Sequence, residues 1–528
     1  AELNNDIYSE IGGLNPLVLN LFTDVTSKFP SNNTIVGDGI NTGGFLFNAP
    51  TTTRENTHIT RLDYHLNDNQ QIFFRGNYQW DNTAGVSAFP GTPTVSSWSH
   101  PLGFAVGHNW TISNNRVNNF RYGLTKTAFS NQGDSTDNSI RFRFVYEPFL
   151  FARTLSRKTP VQNITDDFTW TKGDHTFQFG GNVRIIRNRR FDLGNAFDDA
   201  VTNPSFYDLS GRVVDAEFTK AGYAIDPGSR NTVQAAATAL IGRFSQFSGN
   251  FTFDIDGSVL PVGTPTNRNF ATEEYDSYFQ DVWKISRDLT LTLGLRYAVS
   301  RPVYEQKGFQ VVPKERLGDV FDRRVASAAT GVPLNELIEF QLGGPKNNDA
   351  PGFYSMDWNN WQPRVAAAWS PHFENGFLKK LFGANGESTF RGGFGISNDF
   401  FGGQLAVSFD GLSPIGFTSS DTISANTYNV TTNPAPLFTG FGQDIRSLPG
   451  ISAPVQRFTV DADEEQRIEV SLDATIVSPK HYTWNVSYGR RLPKDLYFEA
   501  SYVGRAARNL FAARDIFALN NLVDPASG

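Results

Sequence analysis

The chain has 528 residues, with 46 Lys plus Arg against 53 Asp plus Glu, a formal net charge of −7 and no Cys. This balance excludes a dedicated nucleic-acid binder, which carries a basic stripe. The absence of Cys excludes a disulfide framework and any Cys-ligated zinc or iron–sulfur centre.

Aromatic residues reach 14% while charged residues fall to 19%, and the mean hydropathy is −0.35. No run of about 18 apolar residues occurs, so no helix crosses a bilayer. The longest small-apolar stretch is Ala235–Ile241. A transmembrane barrel stays open, because it hides its apolarity in alternation and reads as polar on average.

Taken in chain order, period-two alternation marks segments 57–66, 71–80, 101–112, 117–129, 159–171, 175–187, 271–285, 289–299, 362–371, 388–398, 481–491 and 496–509. In the cleanest, Leu289, Leu291, Leu293, Leu295, Tyr297 and Val299 alternate with Thr290, Thr292, Gly294, Arg296 and Ala298. Tight links fall at Asn67–Gln70, Ser113–Arg116, Lys172–Asp174, Ser286–Asp288 and Pro493–Asp495, with a somewhat longer one near 372–387. Long links rich in Gly, Pro, Asn, Ser and Thr cover about 81–100, 130–158, 188–270, 300–361 and 399–480. Short and long links alternate strictly, as periplasmic turns and extracellular loops do in a membrane barrel.

Segments 244–254 and 466–478 look like strands by composition, but as spanning strands they would break the parity. They are assigned to strands or hairpins inside the loops, together with a short helix over Val233–Arg243. About twelve spanning strands remain, in an all-β, transmembrane antiparallel β-barrel. By parity, 1–56 is an extracellular segment leading into a barrel over 57–510, and 511–528 begins a further extracellular loop. Both ends then lie outside the cell, and Pro525–Gly528 lacks an aromatic-terminated strand, so the expectation is an internal piece of a larger barrel.

Trp110, Trp170, Trp283 and Trp369 lie two or three residues before a tight link, and Trp80 and Trp484 lie at the opposite strand ends. Amphipathic rings suit the headgroup level, so these read as two interfacial girdles. Trp that simply ends strands in any β protein is the alternative.

Several segments, taken together, resemble TonB-dependent outer-membrane receptors of the Oar-like group. They are Arg61-Leu-Asp-Tyr-His-Leu-Asn-Asp-Asn-Gln-Gln-Ile-Phe-Phe-Arg75, Asp167-Phe-Thr-Trp-Thr-Lys-Gly-Asp-His-Thr-Phe-Gln-Phe-Gly-Gly181 and Tyr278-Phe-Gln-Asp-Val-Trp283 with Leu289–Tyr297. Trp361-Gln-Pro-Arg364, Phe390–Ile396 and Trp484–Ser487 with Tyr502-Val-Gly504 follow in the same order. The resemblance implies a barrel of about 22 strands with an N-terminal plug. It also implies a TonB box, through which a missing N-terminal segment would engage the TonB complex. The plug and the C-terminal strands are not visible in this sequence.

Arg61, Arg75, Arg121, Arg296, Arg364 and Arg391 alternate with apolar residues and are expected in the lumen, pairing with plug carboxylates or with neighbours such as Asp63. Arg184, Arg187, Arg189 and Arg190 end a strand that outruns the bilayer. They are candidates for lipopolysaccharide phosphates, or for pairing with Asp192, Asp198 and Asp199. Asp254 with Asp256, and Asp461 with Asp463, offer hard oxygen ligands for Ca²⁺, and solvated loop charge explains them as well. No GxSxG, P-loop, HExxH or strand-linked GxGxxG occurs.

The reading is a Gram-negative outer-membrane receptor, not an enzyme and without a cofactor, that takes up a large or scarce glycan, peptide or chelate. Its expected partners are membrane lipid, lipopolysaccharide, TonB and other envelope proteins, and no nucleic acid. The alternatives are a structural or adhesive barrel that acts as a scaffold in an envelope assembly, and a soluble all-β carbohydrate-active enzyme.

Overall fold

In a computed structural model, the structure describes the chain apart from residues 1–3, 10–11, 34, 36–43, 88, 93, 134–135, 144, 146–152, 205–207, 333, 335, 385, 402–407, 409–414, 425–426, 430–431, 461–469 and 518–528. Its main element is a 14-stranded sheet. Two of those strands are short, Ser96–Ser99 and Tyr304–Glu305, which leaves twelve long ones. These are β1 (Thr53–Asn67), β2 (Gln70–Ala84), β3 (Leu102–Ser113), β4 (Arg116–Gln132), β5 (Leu155–Lys172) and β6 (His175–Asp192). They continue with β7 (Thr266–Lys284), β8 (Leu289–Ser300), β9 (Trp361–Trp369), β10 (Ser388–Asn398), β11 (Lys480–Leu492) and β12 (Leu496–Arg508). Each coincides with one alternating segment of the sequence, and each pairs antiparallel with its neighbours in chain order. β1 and β12 are the two edges of this sheet.

Directly paired residues of antiparallel strands share a face, so the register sorts every side chain to one side. One run of partners is Trp110–Asn118–Phe168–Phe179–Phe279–Leu295–Pro363, and another is Trp369–Phe390–Tyr488. This face is apolar and aromatic. All six tryptophans expected in girdles lie on it: Trp110, Trp170, Trp283 and Trp369 near the tight turns, Trp80 and Trp484 toward the other end. It has polar exceptions near the turns: Asp166 accepts from Asn118 at 2.8 Å, and Asp281 contacts His175 at 2.7 Å. The opposite face is polar.

The tight turns are built from local chemistry. Asn67 Oδ1 accepts from the backbone N–H of Asn69, an Asx turn. In the last hairpin, Lys494 and Asp495 both hold positive φ, 63° and 59°, the backbone hand that matches strand twist. Glycine in the wall makes room for rings. A Cβ on Gly107 would sit 2.0 Å from the Phe73 ring, which lies over it from β2.

The long links carry more structure than their composition suggests. Strands run past the expected ends, so the links shorten. Ser139–Phe142, Asp199–Thr202, Gln246–Thr252 and Thr418–Ile423 form a four-stranded sheet, in which the first two pair in parallel. Val311–Pro313, Ile338–Leu342 and Thr459–Val460 form a three-stranded sheet. Helices Pro16–Lys28, Asp208–Lys220, Arg230–Ile241 and Leu317–Ala328 belong to the same end of the molecule. Their apolar residues meet in cores. Phe142, Phe244, Phe247, Ile140 and Ile445 are fully buried in one, with Val18 of the N-terminal helix. Val320, Phe340, Ile415 and Phe417 make another.

We call this folded end the cap. The helix expected over Val233–Arg243 is Arg230–Ile241, closed by Gly242 at φ 64°. The strand expected over 244–254 is Gln246–Thr252. The strand expected over 466–478 is not formed in its described part. Residues 470–478 are irregular and instead place Leu472 against Phe270 and Tyr354.

The Gly107–Phe73 contact yields a test of the wall register. Gly107→Ala is expected to displace the ring and destabilise the sheet by about 1–3 kcal/mol, the usual range for overpacking. In a Phe73→Ala background the same substitution should cost little. Urea unfolding, followed by heat-modifiable gel migration, measures both.

Candidate functional site

The six arginines expected in the lumen share the polar face. Arg61 pairs with Arg75, Arg75 with Ala105, and Arg121 with Gly107 two residues along the same strand. The register then runs Arg121–Thr165–Asn182–Asp276–Ala298, which sets Arg296 on that face. Arg296 pairs with Gln362, two residues from Arg364, and Arg364 pairs with Gly395, four from Arg391.

Two of the six are neutralised within the wall. Arg61 holds Asp63 at 2.8 Å and lies 5.1 Å from the Phe73 ring centroid. Arg296 holds Asp276 at 2.8 Å, where the carboxylate is almost fully covered. Asp276 also accepts from Asn182 at 3.0 Å, and Tyr278 donates to Asp167 at 2.7 Å. Among the described residues, no ion pair involves Arg75, Arg121, Arg364 or Arg391. On the polar face these four arginines therefore lack a carboxylate in contact, beside Arg61 at one part of the sheet and beside Arg296 at another.

The four arginines at the end of β6 divide between the faces. Arg184 and Arg190 lie on the polar side, where Arg184 contacts Glu274 at 2.6 Å and Arg190 contacts Asp192 at 2.6 Å. Arg187 and Arg189 lie on the other. Arg187 contacts Glu273 at 2.7 Å, and Arg189 is exposed. Asp198 and Asp199, proposed as their partners, are used elsewhere: Asp199 pairs with Arg141 at 3.0 Å and Asp198 with Arg446.

Asp254 and Asp256 shape a turn. Asp254 N–H donates to Ser258 O, and Asp256 Oδ1 accepts from Ser258 N and Oγ. Among the described residues, no group of three or more His, Asp or Glu could hold a metal ion. Asp461 and Asp463 lie outside the described residues.

Sequence reasoning missed the cap's central ion pair. Asp198 is fully buried, and its Oδ1 accepts from Arg446 Nε at 3.0 Å and from Asn250 N at 2.9 Å. Arg446 also donates to the backbone oxygens of Leu260 and Asn250, and its guanidinium lies 4.7 Å from the Phe251 ring centroid. Residues 248 positions apart thus join two long links across the cap. Nothing local in the sequence announces a contact at that separation. Burial pushes the Asp198 carboxyl up from its ordinary range, against the hydrogen bonds from Asn250 and Arg446.

The raised value fixes a sign. The folded cap holds the Asp198 proton more tightly than the unfolded chain does. This group's contribution to stability is therefore full below the ordinary carboxylate range and is lost as pH rises through the raised value. Asp198→Asn should flatten that slope while keeping an acceptor for Arg446. Arg446→Ala, which strands a buried carboxylate, should cost about 3–5 kcal/mol. Hydrogen–deuterium exchange within 193–265 across pH 4–7, an interval of about three units around the carboxylate range, corrected for the intrinsic exchange rate at each pH, reads both effects.

The family described as "Outer membrane beta barrel domain" matches residues 3–527. None of the curated proteins matches the chain. Among solved structures, the outer membrane transporter YddB from Escherichia coli is 9% identical at a TM-score of 0.44, with 88% of this chain and 41% of that one covered. The ferripyoverdine receptor of the outer membrane of Pseudomonas aeruginosa is 10% identical at 0.39, with 90% and 44% covered. The siderophore receptor PirA from Acinetobacter baumannii is 8% identical at 0.36, with 90% and 46% covered. The chain thus spans less than half the length of each of these structures.

Proposed function

The chain belongs to the outer membrane beta barrel domain family, and from that premise we propose that it forms the wall and surface cap of a TonB-dependent receptor. Its location is the outer membrane of a Gram-negative cell. On this reading the apolar face meets lipid, the polar face lines the lumen, the tight turns lie in the periplasm and the cap stands outside the cell.

The observation that carries the proposal is the set of arginines without ion pairs on the polar face, Arg75, Arg121, Arg364 and Arg391. Guanidinium groups in a confined, partly desolvated channel raise the local concentration of anions. They call for counter-charge from carboxylates of a separate plug segment, from an anionic ligand, or from both in turn. A ligand with carboxylate or phosphate groups, such as an acidic peptide, an acidic glycan or an anionic chelate, fits that demand. A surface scaffold is the second reading. It is favoured by the cap, whose buried Phe142, Phe244 and Phe247 make a folded surface rather than mobile loops.

Growth on panels of acidic glycans, peptides and chelated iron separates the two readings. Receptor function predicts that deleting the gene and deleting TonB abolish growth on the same ligand. Changing Arg75, Arg121, Arg364 and Arg391 together to Gln should then slow uptake of that ligand at least tenfold, about 1.4 kcal/mol in the rate, with heat-modifiable migration unchanged. Growth of the deletion strain on every ligand that requires TonB would reject the receptor reading.

A further inference from the structure

The link between β9 and β10 carries a helix at the turn end of the sheet. The helix is Phe377–Phe382, six residues of sequence FLKKLF. Gly376 and Gly383 bound it at φ 87° and 86°, where other residues are strained. Its apolar side chains stay out of any core: Phe377 is 74% exposed, Leu378 45% and Leu381 44%. Lys379 and Lys380 are also exposed, and no ion pair involves them among the described residues.

The helix is fastened to the apolar face. Phe382 packs on Phe373 at 6.1 Å and on Phe390 at 5.2 Å between ring centroids. Phe390 stacks with Trp369 at 5.6 Å and with Tyr488 at 5.0 Å. Trp369, Phe390 and Tyr488 are cross-strand neighbours in the aromatic row near the turns. Arg490, on the same face of β11, donates to the carbonyl oxygens of Leu381 and Lys380 at the end of the helix. The wall thus holds two carbonyls of the helix and one ring, and leaves three apolar side chains and two lysines exposed where the aromatic row ends.

We propose that Phe377–Phe382 is a lipid-docking element. Phe377, Leu378 and Leu381 enter the acyl boundary of the leaflet at the turn end, while Lys379 and Lys380 engage the headgroups of anionic phospholipids. Two features select lipid as the occupant. The exposed apolar surface is continuous with the membrane-facing side of the wall, and its positive charge stands where acyl chain gives way to headgroup, the arrangement of interfacial helices. The inference rests on the reading of the apolar face as lipid-facing.

The chain has no cysteine, so single labels are unambiguous. The intact protein carrying Phe377→Cys or Leu293→Cys is labelled with an environment-sensitive nitrobenzoxadiazole dye and placed in phosphatidylcholine vesicles containing phosphatidylglycerol. Both dyes are expected to shift to the blue and to be quenched by spin-labelled lipid, the Phe377 dye best by a label near the headgroup. Lys379→Glu with Lys380→Glu should lower the preference of the Phe377 dye for anionic over zwitterionic spin-labelled lipid by roughly an order of magnitude.

Quenching at Leu293 with aqueous iodide access at Phe377 overturns the docking element alone. Loss of lipid quenching at both positions overturns the lipid-facing wall with it. An unchanged lipid preference in the double glutamate variant overturns the headgroup contact. Protection of the Phe377 dye only after a soluble periplasmic protein is added overturns lipid in favour of protein.

Discussion

The structure depends on one constraint: in hydrocarbon, every backbone N–H and C=O must find its partner within the protein. A continuous antiparallel ladder meets it, and the ladder fixes the side-chain period at two. Register then becomes an all-or-none variable, because a slip of one residue would move every apolar side chain to the polar face. The run Trp110–Asn118–Phe168–Phe179–Phe279–Leu295 and the run Arg121–Thr165–Asn182–Asp276–Ala298 are two readings of the same register. Neither could shift without the other.

A wall one strand layer thick has no interior in which to bury a core. Apart from Phe270 at the cap end of β7, the largest fully buried side chains among the described residues lie outside the long strands, as in Phe142, Phe244, Phe247, Phe417, Ile140, Ile415 and Ile445. The usual relation between ladder and loop is inverted, with the connectors holding the dry core and the strands remaining half exposed. Burial of this kind gives the cap its own stability, of the order of 1.5–3 kcal/mol for each large apolar side chain removed from water. Asp198 and Arg446 then add specificity, since a buried charge tolerates one arrangement of its neighbours and penalises the rest.

This division also explains what the sequence reveals. The twelve alternating segments coincide with β1 to β12 because strand period and burial pattern come from one cause. That the six arginines share one face was legible for the same reason, because the strand period assigns each side chain to a side. In the links, burial is set by distant partners, so no period survives. Arg230–Ile241 showed itself through a run of alanines, and Gln246–Thr252 through its composition. The helix Pro16–Lys28 left a signal that composition hid: Asn15 caps it by accepting from Leu17 and Val18, and Pro16 opens it. The irregular course of 470–478 had the opposite fault, since its Val, Ile and Ser resemble a strand while its role is to pack Leu472 against Phe270 and Tyr354. Asp198 and Arg446, 248 positions apart, could not be joined by any local rule.

Wall and cap are not independent bodies. β5, β6 and β7 have 18, 18 and 19 residues, where about 9–11 suffice for a span. Their excess length rises into the cap and carries the pairs Arg184–Glu274, Arg187–Glu273 and Arg190–Asp192. Glu273 also contacts Arg301, and Arg268, farther up β7, stacks its guanidinium over Phe309 and Phe417 of the cap core. A displacement of that core would therefore pull on β7, and through its register on Asp276 and Arg296 in the polar face. One hydrogen-bonded strand therefore holds both the packing of Arg268 on the cap core and the Asp276–Arg296 pair of the polar face.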